Sequence, residues 1–164
     1  MRRRCRAALL ALACWLAACL QIGAAAAQDI TQVTGIRFGV QGSRTRVVVD
    51  ADRPLSFRTR ALGDPWRLVV DLPEVVWNPQ PGPLSAVRGI ARSQRFASLG
   101  GGAGQLTVDT SRPFRVTTAV LLPPSEHSVR YRLMIDLEPV PPEAFAAAAA
   151  TPGPVADAAS AAAP

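Results

Sequence analysis

The sequence predicts an all-β sandwich, and three observations predict it. The apolar runs are short, β-branched and bounded by Gly, Pro, Asp or Ser, with little that repeats at helical spacing. Within those runs the residues alternate. In RVVVD, Val47 and Val49 point one way and Arg46, Val48 and Asp50 the other; in WRLVVDL, Trp66, Leu68 and Val70 alternate with Arg67, Val69 and Asp71. Alternation of period two gives each strand one face for a core and one for water. Finally, the chain repeats itself: VVVDADRPLSFRTRAL from Val47 is echoed by LTVDTSRPFRVTTAVL from Leu106.

The echo fixes the organisation. Asp50 recurs as Asp109, Arg53 as Arg112 and Pro54 as Pro113 at one constant offset. WRLVVDLPE (Trp66–Glu74) recurs as YRLMIDLEP (Tyr131–Pro139), and GIRFGV from Gly35 answers GIARSQRF from Gly89. The second copy carries about six extra residues, placed in PPSEHSVR. A block that recurs once in fixed order is an internal duplication, with halves at about 30–78 and 84–139.

Taken in order, residues 1–27 are a leader. Arg2, Arg3, Arg4 and Arg6 precede an apolar run that closes on Ala25, Ala26 and Ala27, the layout of a secretory signal with an A-x-A cleavage site. The run is also long enough to serve as an uncleaved anchor, and LAAC at Leu16–Cys19 resembles a lipobox that would make Cys19 the lipidated start of an outer-membrane lipoprotein. Cleavage after Ala27, with release to the periplasm and no stable membrane insertion, is the expectation. The formal charge of +6 then shrinks: without the four leader arginines, 14 arginines face 12 acids, a net of +2. Nucleic-acid binding loses its electrostatic footprint. The leader also holds all three cysteines (Cys5, Cys14, Cys19), so the remaining chain has no disulfide or thiolate metal site.

Strands follow at 31–40, 44–51, 54–62 and 66–72, and again at 86–97, 104–110, 113–122 and 130–138. Four half-buried strands per half form two symmetry-related sheets that bury their apolar faces on each other. The Asp-x-x-Arg-Pro phrase (Asp50, Arg53, Pro54; Asp109, Arg112, Pro113) is then expected to be a structural turn, a hairpin device used once per sheet. Its Pro lacks an N–H, and its Asp is placed to accept nearby backbone N–H groups with the Arg close by. GGGAG at Gly100–Gly104 lacks the Lys and helix of a phosphate loop and reads as a hairpin tip. Residues 140–164, rich in Ala and Pro, read as a disordered linker or tail with room for a short helix near 143–150.

Little here builds catalysis. One histidine, His127, sits in a loop, and a metal hydrolase site needs about three protein ligands. No Ser occupies a G-x-S-x-G elbow. Asp64, Asp71, Glu74, Asp136 and Glu138 read as solvated strand-end carboxylates. The chain is therefore expected to be non-enzymatic, with no cofactor and no metal. What remains is a surface: Arg58 and Arg60 share one strand face, Arg67 lies on the next strand, and Trp77 in EVVWNP offers a ring. Arginines grip carboxylates and an aromatic ring packs on a sugar.

The stretch VTGIRFGVQGSRTRVVVDADRPLSFRTRALGDPWRLVVDLPEVVW, continued by VRGI, TVDTSRPFRV and RLMIDLEP running into EAF, resembles the AMIN domain. This is the N-terminal, non-catalytic module of periplasmic N-acetylmuramoyl-L-alanine amidases, and the second half here resembles that of alphaproteobacterial members. The resemblance spans about residues 30–145 and rests on the order of strand phrases, with no catalytic signature. It implies a sandwich of two symmetry-related sheets that binds peptidoglycan and localises its enzyme, often at the division site. In such amidases a linker of this kind precedes a zinc domain that cleaves muramic acid from the stem peptide; that domain and its ligands have no counterpart in this sequence. The module also occurs in secretins of pilus and secretion machinery as a wall anchor. Three functions follow as expectations. The first is a peptidoglycan-binding module serving cell-wall remodelling or division, with division or envelope proteins as further partners. The second is the front of a zinc-dependent amidase whose catalytic domain is not in this sequence. The third is a periplasmic adaptor that binds a protein through a sheet edge. The residues assigned to the wall are Arg58, Arg60, Arg67 and Trp77.

Overall fold

The computed structural model describes residues 30–126, 128–150 and 153–156. The expected leader with its lipobox-like LAAC, His127 and the end of the tail lie outside the described residues. Among the described residues the strands are β1 (Thr31–Gln41), β2 (Arg44–Ala51), β3 (Phe57–Leu62), β4 (Arg67–Leu72), β5 (Val75–Trp77), β6 (Ala91–Gly100), β7 (Ala103–Thr110), β8 (Phe114–Leu122), β9 (Tyr131–Pro139) and β10 (Val155–Ala156), with one helix, α1 (Pro142–Ala150), before β10. They form two sheets, the first in the order β5-β1-β2-β9-β8 and the second β10-β3-β4-β7-β6, where β10 adds only two residues. The sandwich is as the sequence predicts. Val47, Val49, Leu68, Val70, Leu106, Val108, Leu133, Ile135 and Leu137 are fully buried between the sheets.

The repeat, however, does not make one sheet each. The first hairpin of either copy stays in one sheet and the second hairpin crosses to the other, so β1–β2 share a sheet with β8–β9, and β3–β4 with β6–β7. The central pairings obey the duplication. Asp50 lies opposite Arg132 across β2–β9, as Asp109 lies opposite Arg67 across β7–β4; Arg46 faces Asp136 where Gln105 faces Asp71. The halves are interlocked about a pseudo-two-fold relation.

Asp-x-x-Arg-Pro is therefore a crossing between sheets and not a hairpin. The neighbours of β2 are β1 and β9, and those of β3 are β4 and β10. The residue after Pro explains the route: Leu55 and Phe114, equivalent in the two copies, are 2% and 0% exposed, so each crossing drives an apolar side chain into the core. Pro54 and Pro113 suit a place where the chain leaves one ladder before joining another, because they carry no N–H to leave unpaired. Thr31 Oγ1 donates to the Pro54 carbonyl at 3.0 Å. The carboxylates at the crossing also act differently from expectation. Asp50 accepts from the Arg37 guanidinium (2.9 and 2.6 Å), and Asp109 from Ser93 and from Arg95 (2.7 Å). The backbone N–H, that of Gln32, goes to Asp52 at 2.7 Å. Arg53 and Arg112 are exposed.

Three other boundaries differ. β6 begins at Ala91, five residues later than its apolar pattern predicts, because Gly89 takes a left-handed φ of 63° and Ile90 N–H then donates to Thr45 Oγ1 at 3.0 Å. A Cβ on Gly89 would collide with that Thr45 hydroxyl, so the position needs glycine. Val75–Trp77 adds a parallel strand beside β1. The tail is folded at its start: α1 buries Phe145, which meets Phe114 edge-on with centroids 5.8 Å apart, and β10 pairs with β3. One large side chain in an alanine-rich segment supplies the apolar anchor that composition alone averages away.

Interlocking has a direct consequence. Residues 30–78 expressed alone contain half of each sheet and should stay unfolded by circular dichroism and by amide dispersion in NMR. A folded, four-stranded product would contradict the exchanged arrangement.

Candidate functional site

On β3 the inward positions are Phe57 and Thr59, 2% and 0% exposed, so Arg58 and Arg60 project together from the outer face. Register then separates their surroundings. Arg58 lies opposite Asp71, Arg60 opposite Val69, and Leu62 opposite Arg67. Arg60 reaches diagonally to Asp71 with a two-point hydrogen bond, Nε at 3.1 Å and Nη2 at 2.9 Å, and Gln105 on β7 donates to the same carboxylate at 2.9 Å. Burial pushes the Asp71 carboxyl up, but the hydrogen bonds from Arg60 and Gln105 and the charges of Arg60 and Arg58 outweigh it and hold it below its ordinary value. Asp71 is a three-strand tie and not the idle strand-end acid read from the sequence. The signal was present as arginines at alternating positions one strand away, but register was needed to read it.

Arg58 makes no side-chain hydrogen bond among the described residues. It lines an open groove of about 340 Å³ together with Asp71, whose carboxylate Arg60 and Gln105 already hold, and with Leu72, Pro73, Leu99 and Val155. Leu99 and Val155 are 61% and 54% exposed. The groove thus combines a fork of cationic donors with apolar sides, an arrangement able to hold a carboxylate whose carbon skeleton lies on hydrocarbon.

The other two assigned residues stand elsewhere. Arg67 is at the far end of β4, donates Nε to the Pro65 carbonyl at 3.2 Å, and lies opposite Asp109. The Ser93 hydroxyl holds the Asp109 carboxyl low, burial opposes it, and Arg95 and Arg67 complete the lowering. Trp77 lies on β5, at the edge of the first sheet, stacked on Phe96 of β6 with centroids 4.4 Å apart and planes 4° from parallel. This stack closes the side of the sandwich opposite β3. It depends on Gly104, where a Cβ would overlap the Phe96 ring. That requirement explains the last glycine of the sequence read as a hairpin tip, while Gly100–Ala103 do form the β6–β7 turn. Of the four predicted residues, then, the structure brings Arg58 and Arg60 together and leaves Arg67 and Trp77 apart.

Among the described residues no three His, Cys, Asp or Glu gather where a metal ion could be held. No protein-family model matches this chain, and no curated protein matches it.

The depressed carboxyls make an acid-limb prediction. A carboxyl whose folded value lies below its unfolded one contributes stability that is complete above about pH 4 and is lost as pH falls through the folded value. Asp71→Asn combined with Asp109→Asn should lower stability at pH 7 and flatten its decline toward pH 2 in urea-unfolding series. Parallel pH profiles for the variant and the parent chain would refute the roles given to both aspartates.

Proposed function

We propose that this chain is a non-catalytic, peptidoglycan-binding and localising module of the bacterial periplasm that serves cell-wall remodelling or division. The observation that carries the reading is Arg58, a guanidinium with its donors uncommitted beside an apolar-walled groove. Stem peptides of the wall present carboxylates, and its sugars present flat apolar faces, the chemistry such a groove accepts. The AMIN resemblance and the duplicated sandwich support the same reading. Asp71 lines the same groove, and Arg60 and Gln105 serve the site by taking up its carboxylate oxygens, so that Arg58 keeps its own hydrogen-bond donors.

A second reading, a periplasmic adaptor for a protein partner, is favoured by β6. It is ten residues long and outermost in the second sheet, the arrangement that accepts an added strand.

The chain from Gln28 onward should co-sediment with isolated sacculi and release no stem peptide from them, with or without zinc. Arg58→Ala should weaken that binding by about 1–3 kcal/mol, the range for charge-assisted hydrogen bonds, with little change in melting temperature. Arg112→Ala should leave binding intact. Failure to co-sediment at moderate salt would favour the adaptor, and zinc-dependent release of stem peptides would establish an amidase instead.

A further inference from the structure

A second basic cluster lies on the opposite sheet. Arg37 on β1 and Asp50 on β2 project from the outer face of the first sheet, and Arg132 on β9 stands directly across from Asp50. Two loops rise around them. The segment joining the halves runs along β1, held by Asn78 N–H to Val33 O (3.1 Å), Gln80 N–H to Thr34 O (3.0 Å) and Phe38 N–H to Leu84 O (2.8 Å). On the other side the β8–β9 loop is closed by paired Ser125–Ser128 backbone bonds of 2.7 and 3.0 Å. Arg130 bridges from that loop to β1, donating Nη1 to Thr34 Oγ1 at 2.6 Å. Two adjoining hollows, of about 220 and 470 Å³, share Arg37, Asp50 and Arg130 as lining residues.

The electrostatics are unbalanced. Asp50 satisfies only Nε and Nη2 of Arg37, leaving its Nη1 uncommitted, and Arg130 spends one nitrogen on Thr34. Arg132 carries a buried Nε with no hydrogen-bond partner. Among the described residues, Arg37 and Arg130 line the hollows and Arg132 stands beside Asp50 outside that lining, facing two carboxylates, Asp50 and, on the rim, Glu126. From this arrangement we infer a binding site for a singly charged carboxylate, such as the free end of a peptide, gripped between Arg37 and Arg130. A phosphate dianion fits less well, because Asp50 and Glu126 repel its second charge. The walls are tied by backbone hydrogen bonds before any ligand arrives, which lowers the ordering cost of binding.

The duplication supplies an internal control. Asp109, Arg95 and Arg67 repeat Asp50, Arg37 and Arg132 in the other half. There the strands are joined by the short turn between Leu62 and Arg67, and Pro65 occupies the place of Arg130. The extra residues of PPSEHSVR, which break the symmetry of the sequence, build the wall that only one copy has. The Arg58 groove belongs to the other sheet, so this inference stands whether or not that groove binds the wall.

N-acetylglycine, a minimal peptide carboxylate, is the probe. Titrated into the chain from Gln28 onward, it should saturably shift the amide resonances of Thr34, Gly35, Ser128 and Arg130 while those around Asp109 stay in place. Arg130→Gln should weaken binding about tenfold, as loss of a charge-assisted hydrogen bond does. Glu126→Gln, on an exposed loop, should tighten it. N-acetylglycinamide should not bind. Absence of saturable shifts, equal binding of the amide, tighter binding of inorganic phosphate, or no tightening in Glu126→Gln would each overturn the assignment.

Discussion

The crossing between sheets at Asp-x-x-Arg-Pro is the constraint on which the rest of this structure depends. Each crossing sends one large apolar side chain, Leu55 or Phe114, into the space between the layers. Once it does, the two hairpins of a repeat cannot lie in one sheet. β2 must then find β9, and β4 must find β7, each from the other copy. The core forms only when both copies are present, because every layer is half first copy and half second. Phe145 completes the arrangement by packing on Phe114, which draws α1 into the fold.

The outer faces are organised by a second rule, the match between arginine and carboxylate across neighbouring strands. Arg37, Arg46, Arg60, Arg95 and Arg115 each hold an acid on the next strand. The most enclosed pair is Arg46–Asp136, two bonds of 2.7 Å with the Asp136 side chain 5% exposed. Its hydrogen bonds, opposed by some loss of solvent, raise the affinity of Arg46 for its proton. An acid so enclosed is costly to leave without its partner, whereas the exposed Arg115–Glu138 pair is screened by water and contributes little. Arginine suits this role because its fork meets both oxygens of a carboxylate at once. The two proposed sites draw on the donors this rule leaves over, among them those of Arg58 and Arg130.

Those remainders lie where the two copies differ. In the second sheet Arg58 escapes because Arg60 reaches Asp71 first. In the first sheet Arg130 stands where the first copy has Pro65, at the end of the longer β8–β9 loop. Duplication gave a symmetric frame, and small departures from symmetry gave each outer face its own chemistry.

Much of the fold was legible in the sequence. Alternation of period two is a local property, so strands such as β2, β4, β7 and β9 and their buried faces could be read from residues a few positions apart. The duplication was equally plain, since it is a comparison of the chain with itself. Arg58 and Arg60 could be placed on one face by parity alone. What the sequence could not decide was partnership. Whether Asp-x-x-Arg-Pro turns back or crosses over, whether Trp77 meets solvent or Phe96, and which arginine reaches Asp71 all depend on residues far apart in the chain. Those contacts are fixed by which strands pair and in what register, and register is set by the shared core as a whole. Local chemistry determined what each strand is. Only the closing of the two layers decided what each side chain touches.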